Sequence, residues 1–223
     1  MRKLLVFVWF LLPVAAGAYH FGPGQDRVRA DQAAAAVERA AQAVCAAHET
    51  AAKDGDDAAK GYWSQAVDAY GEALELLPAG EVAETRALRL ERAKARMFVS
   101  QLPEARRDLG ALVEELTADA TADKKLLAEA RGALANAQYY TTWLMRLEGA
   151  PREEWEPEID ASRQNYKLIA EQTASGGGAA TAGDAATAGD AKLAIESREN
   201  LESAIRLARM DLAELQGLPL PSQ

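Results

Sequence analysis

Nowhere in this 223-residue chain do apolar and polar residues alternate in the manner of a β-strand. Proline and glycine instead cut long Ala/Leu/Glu/Arg stretches into helix-length pieces. Apolar residues make up 49% of the chain but aromatics only 6%, so a core has to close through small side chains rather than around a thick aromatic centre. The pattern predicts an all-α fold with helices over about Asp26–Lys53, Gly61–Pro78, Glu81–Val99, Glu104–Leu116 and Lys124–Leu147, one from the Glu153–Pro157 region to Gln172, and a last one over Ala191–Leu215. The separators are Phe21-Gly22-Pro23-Gly24, the polar loop Asp54-Gly55-Asp56-Asp57, an extended linker around Pro151 and Pro157, and Gly217 with Pro219 beyond it. Residues 173–190 hold a triple glycine and two perfect copies of AATAGD, 179–184 and 185–190, and are expected to form a flexible loop.

One helix carries the most information. In GYWSQAVDAYGEALELLP, residues 61–78, a turn of about 100° per residue places Trp63, Val67, Tyr70, Leu74 and Leu77 along one stripe. Ala66, Ala69 and Ala73 lie beside it, where another helix can approach closely. Gly61, Trp63, Ala66, Tyr70, Ala73 and Pro78 agree in type and spacing with the second helix of a tetratricopeptide repeat, and the segment resembles that family. A second copy is visible in residues 87–116, with Ala93 in its first helix and Ala105, Leu109 and Leu112 in its second. Ala66 to Ala105 is 39 residues, against the family's period of about 34. Residues 124–172 have the hairpin form and fit the pattern poorly, and Asp54 stands where the family has Gly or Ala. The resemblance implies antiparallel hairpins over residues 26–172, stacked as a short α-solenoid and closed by a C-terminal capping helix and tail at 191–223. It also implies scaffold or adaptor work through protein–protein contact.

The third helix supports stacking independently. Leu88, Ala95 and Val99 fall on one side, and Leu90, Ala93 and Met97 lie about 180° away. Two opposed apolar faces belong to a helix held between neighbours. The last helix shows a single stripe, Leu201, Ala204, Ile205, Ala208, Leu212 and Leu215, as a cap requires.

The chain opens MRKLLVFVWFLLPVAAGAYHFGPGQ. Arg2 and Lys3 form a basic leader, Leu4–Val14 is apolar, and Ala16-Gly17-Ala18 gives an A-x-A cleavage site: the three parts of a signal peptide over residues 1–18. Cleavage puts the mature start at Tyr19, ahead of a connector over 19–25. The alternative is a retained inner-membrane anchor over residues 4–21. Both readings export the body to the periplasm or another extracytoplasmic space, and the membrane enters only through that N-terminal segment.

Catalytic constellations are absent from the sequence. His20 and His48 show no metal-ligand spacing, no phosphate-cradling glycine loop occurs, and Glu114-Glu115 and Glu153-Glu154 have the look of solvated helix surface. The expectation is therefore a protein that is no enzyme and needs no metal or cofactor. A net charge of −9 argues against nucleic acid as partner. Arg89, Arg92 and Arg96 form a local basic ridge on the third helix, which either receives an acidic partner segment or is tied up by neighbouring acidic side chains. Tyr139, Tyr140, Trp143, Trp155 and Tyr166 are expected as hairpin core; exposed around a groove, they would instead suit a small ligand or a cell-wall fragment. Cys45, the single cysteine, is expected as a buried, inert thiol among Ala40, Ala41, Val44 and Ala47.

Overall fold

The computed structural model describes residues 23–78, 80–176 and 185–216. The signal or anchor segment, the first AATAGD copy and the Gly217–Pro219 stop lie outside the described residues. The protein is all-α: the described residues form α1 (Pro23–Asp54), α2 (Asp56–Leu76), α3 (Val82–Met97), α4 (Leu102–Ala118), α5 (Lys124–Leu147), α6 (Arg152–Gly176), α7 (Ala185–Arg209) and α8 (Leu212–Gln216), with no strand among them. They divide into two compact units, one ending at Leu88 and one beginning at Arg89, inside α3.

The first unit is a hairpin of α1 and α2. Its single connecting residue, Gly55, has φ 89°, a conformation that costs glycine little and any other residue more. Asp56 and Asp57 belong to the first turn of α2 and not to a loop, since carboxylates there meet the positive end of the helix dipole. α1 likewise begins earlier than expected, at Pro23, because proline fits the first helical position, where no N–H is needed. α2 stops at Leu76, since Leu77 must be extended (φ −62°, ψ 136°) ahead of Pro78.

The seam between the two helices is made largely of methyl groups. Ala33, Ala36, Ala40, Ala43 and Ala47 are buried on α1, and Ala59, Trp63, Ala66, Tyr70 and Ala73 along one face of α2, with Val67 and Ala69 buried beside them. Both sets step by three and four residues in turn, an average of about 3.5, which keeps the seam in register along a left-handed supercoil. At an equal rise per residue in an antiparallel pair, Leu76 lies opposite the Ala33 region. Residues 25–32 therefore overhang the shorter helix and are exposed.

Cys45 corrects the expectation of a buried thiol: it is exposed. Ala43 and Ala47 occupy the inward positions, and a residue two places from each points about 200° away from them. Ala41, one turn before Cys45, shares its exposed face, while Ala40, Ala43 and Ala47 line the seam.

The second unit holds two cores that share α5. Leu90, Ala93 and Met97 of α3, Leu102, Ala105, Leu109, Leu112 and Leu116 of α4, and Ala130, Ala133, Leu134 and Ala137 of α5 form the first. Ala135 and Trp143 of α5, Ile159 and Tyr166 of α6, Ala204 and Leu207 of α7 and Leu215 of α8 form the second. A helix with apolar groups on both sides is buried from both sides. On α3, Ala95 opposite Leu90 is buried too and Leu88 is half-buried, as is Val99 in the turn just beyond the helix.

The connections explain the layout. Asp123 caps α5 by accepting the Lys125 N–H at 2.9 Å. At its other end Gly149 takes φ 76° while the Ala150 N–H donates to Met145 O (2.9 Å) and the Gly149 N–H to Arg146 O (3.1 Å), a Schellman stop. The expected linker around Pro151 and Pro157 is thus much shorter: α6 starts at Arg152, and Pro157 is carried inside the helix, near its start.

The C-terminal region differs most from the sequence reading. α7 begins at Ala185, so the second AATAGD copy is helical backbone and not loop; it runs directly into the alanine-rich AKLAIE, and alanine is the best helix former. The expected single helix to Leu215 is broken at Met210–Asp211. The Asp211 carboxylate accepts the Glu214 N–H (2.7 Å) and the Glu214 carboxylate accepts the Asp211 N–H (3.3 Å), a reciprocal cap that starts α8. The bend leaves Leu212 43% exposed and turns Leu215 into the core, while Leu207, outside the expected stripe, is buried.

Candidate functional site

The arginine ridge sits where α3 lies against α4 in the second unit. Arg89 reaches Glu115 at 2.5 Å, Arg96 pairs with Asp108, and Arg92 stands 3.7 Å from the same Asp108. Seven residues along α3 from Arg89 to Arg96 match seven residues back along α4 from Glu115 to Asp108, the register of an antiparallel hairpin. The arginine side chains are only 27%, 25% and 20% exposed, so the ridge faces its own acids more than solvent. An acidic partner segment would have to displace Glu115 and Asp108, whose carboxylates the spacing of the arginines alone did not reveal. With those acids a third or more exposed, each pair contributes about 0–1 kcal/mol.

The aromatic residues of α5 and α6 are largely internal. Trp143 and Tyr166 are 5% and 3% exposed. Tyr139 packs edge-on against Tyr140 (centroids 5.6 Å apart) and tilted against Trp143 (6.1 Å). The Tyr166 hydroxyl donates to Asn136 Oδ1 at 2.5 Å, and burial drives its phenol well above the ordinary tyrosine range. Around it, Ser162 donates to Ala135 O (2.8 Å) and Asn165 to Gln138 Oε1 (3.1 Å), so the α5–α6 interface is hydrogen-bonded as well as apolar. A ligand groove needs exposed rings, and none of the five is exposed: Trp143 and Tyr166 are buried, and Tyr139, Tyr140 and Trp155 are half-buried.

Trp155 lies under two guanidinium groups. Arg146 stands 4.8 Å and Arg152 5.9 Å from its ring centroid, within cation–π range. Arg146 is itself buried, and its guanidinium donates to Leu207 O and, at 2.5 Å, to Met210 O, the last carbonyls of α7. Burial pulls its pKa down and Asp211 pushes it back up; an arginine still stays charged. Arg152 accompanies Glu156, one turn on, and this pairing raises the arginine and lowers the carboxyl. Elsewhere the Arg106 Nε donates to Glu158 at 2.7 Å in a two-pronged pair that ties α4 to α6.

Among the described residues no three His, Cys, Asp or Glu side chains are grouped so as to hold a metal ion. No described helix is long and apolar enough to cross a membrane. The chain matches no protein-family model, no curated protein and no solved structure.

Proposed function

We propose that the chain is an exported scaffold or adaptor, a short solenoid of tetratricopeptide-like hairpins that docks another protein in the cell envelope. The observation that carries the reading is the seam of α2, in which Trp63, Ala66, Tyr70 and Ala73, four of the six marks of the resemblance, are buried, together with Ala59, Val67 and Ala69. In this reading the protein works by holding. Rigid helices present a preformed surface, so little ordering entropy is lost when a partner segment settles on it. Export is supported by the basic, apolar and small-residue parts of residues 1–18, either removed before Tyr19 or kept as an anchor.

The test is residue-specific photocrosslinking of the full-length protein in its native cells, followed by purification from the envelope fraction. The expected result is one reproducible partner crosslinked from helix surfaces of the hairpins and not from overhang positions such as Val28. Absence of any reproducible partner, or recovery of the protein from the cytosol alone, sinks the proposal. N-terminal sequencing of the recovered chain separates a start at Tyr19 from a start at Met1.

A further inference from the structure

A small cleft between α6 and α7 gathers more positive charge than the chain neutralises. Its volume is about 190 Å³, and Arg152, Trp155, Glu156, Asp160, Arg163 and Arg209 form its polar wall and its one ring. Three guanidinium groups converge there against two carboxylates. Both carboxylates are engaged: Glu156 accepts from Arg152 (3.0 Å) and Asp160 from Arg163 (2.9 Å). The third cation, Arg209, forms no ion pair and no side-chain hydrogen bond among the described residues. The Nε of Arg163 is buried without a hydrogen-bond partner, so one donor of that guanidinium stays unsatisfied while another is held by Asp160.

With Arg152 and Arg163 each paired to a carboxylate, Arg209 leaves one positive charge of the cleft unbalanced, and a buried donor left unmade costs about 1–3 kcal/mol. The planar fork of arginine suits the oxygens of carboxylate and phosphate groups. Size narrows the class: at roughly 30 Å³ per water the cleft holds about six waters, below the 300 Å³ or so where pockets for larger organic ligands begin. We propose that this cleft binds a small free oxyanion, a phosphate or a short carboxylate, between Arg163 and Arg209, with Trp155 as its apolar wall. The site goes beyond the scaffold reading and does not depend on it.

The test follows the Arg163 Nε–H resonance of the full-length protein by ¹H–¹⁵N spectroscopy. Sodium phosphate, sodium succinate and vesicles of anionic phospholipid are titrated against sodium chloride at matched ionic strength. The expected result is saturation by phosphate or succinate with a midpoint of a few mM or tighter, about the 1 mM scale of a weak specific site. Arg209→Glu, on the exposed end of α7, should weaken it about tenfold or more with the helical signal unchanged, and Arg163→Lys, which keeps the charge and loses the fork, should weaken it as well. No saturation by either free anion, an equal response to chloride, or indifference to Arg209→Glu overturns the proposal. A response to vesicles alone overturns it in favour of a lipid headgroup.

Discussion

Replacing Arg146 by methionine is the most direct test of how the C-terminal region is held. The side chain is 8% exposed and donates to two carbonyls, Leu207 O and Met210 O, at the point where α7 ends. A hydrogen bond involving a charged group contributes about 1.5–3 kcal/mol, so the pair contributes roughly 3–6 kcal/mol in gross terms. Against this stands the desolvation of a buried guanidinium, which methionine removes while filling similar volume. The cation–π contact with Trp155 adds about 0.5–2 kcal/mol to what is lost. The expected net loss is about 2–4 kcal/mol, confined to the second unit. Because the chain has two units, a single melting curve is a poor readout, and amide exchange at residues 204–216 is the better one. Arg146→Lys, which keeps a charge but only a point donor, should fall between the wild type and Arg146→Met. A loss below about 0.5 kcal/mol in Arg146→Met, or equal protection in both variants, would refute the assignment of Arg146 as the clasp on α7.

Other consequences can be measured separately. Ala40→Leu overfills the methyl seam of α1 and should cost about 1–3 kcal/mol in urea unfolding followed by Trp63 fluorescence, whereas Ala41→Leu on the exposed side should stay within about 0.5 kcal/mol. Cys45 should react with a thiol reagent in the native protein as fast as in urea; protection lifted only by unfolding would contradict its exposure. Tyr166 titrates above its unfolded value of about 10 because burial favours the neutral phenol. Its contribution is therefore complete below about pH 10 and declines as pH rises beyond it, since the unfolded chain releases the proton first. The stability–pH slope above pH 10 should flatten in Tyr166→Phe, and an unchanged slope would count against the buried phenol.

Much of the helical layout was legible because it depends on local chemistry. The span Lys124–Leu147 is the same in sequence and structure, since Asp123 marks its cap and Gly149 its stop. Of the stripe that periodicity gives in α2, Trp63, Val67 and Tyr70 are buried, while Leu74 and Leu77 nearer its end are half-buried. The misreadings share a cause. Asp56 and Pro23 look like helix breakers, yet at a first turn each is favourable. The signal for the break near Met210 was present as Asp211 and Glu214, three residues apart, but a continuous apolar stripe conceals a capping box. The arginine ridge was visible as three residues at helical spacing; the acids that engage it lie on another helix, and charge pairing across a hairpin has no local signature.

The amino-acid sequence by itself determined that the chain is helical, where most of its helices lie, and which faces are apolar, because propensity, capping and periodicity act over one to four residues. Only the tertiary structure decided that Cys45 faces outward, that Arg89 and Arg96 meet Glu115 and Asp108, that Arg146 clasps the end of α7, and that Arg152, Arg163 and Arg209 share one cleft. Each of those facts depends on which helix lies beside which, and that is set by the sum of many weak, non-directional contacts between methyl and methylene groups, which no single residue carries.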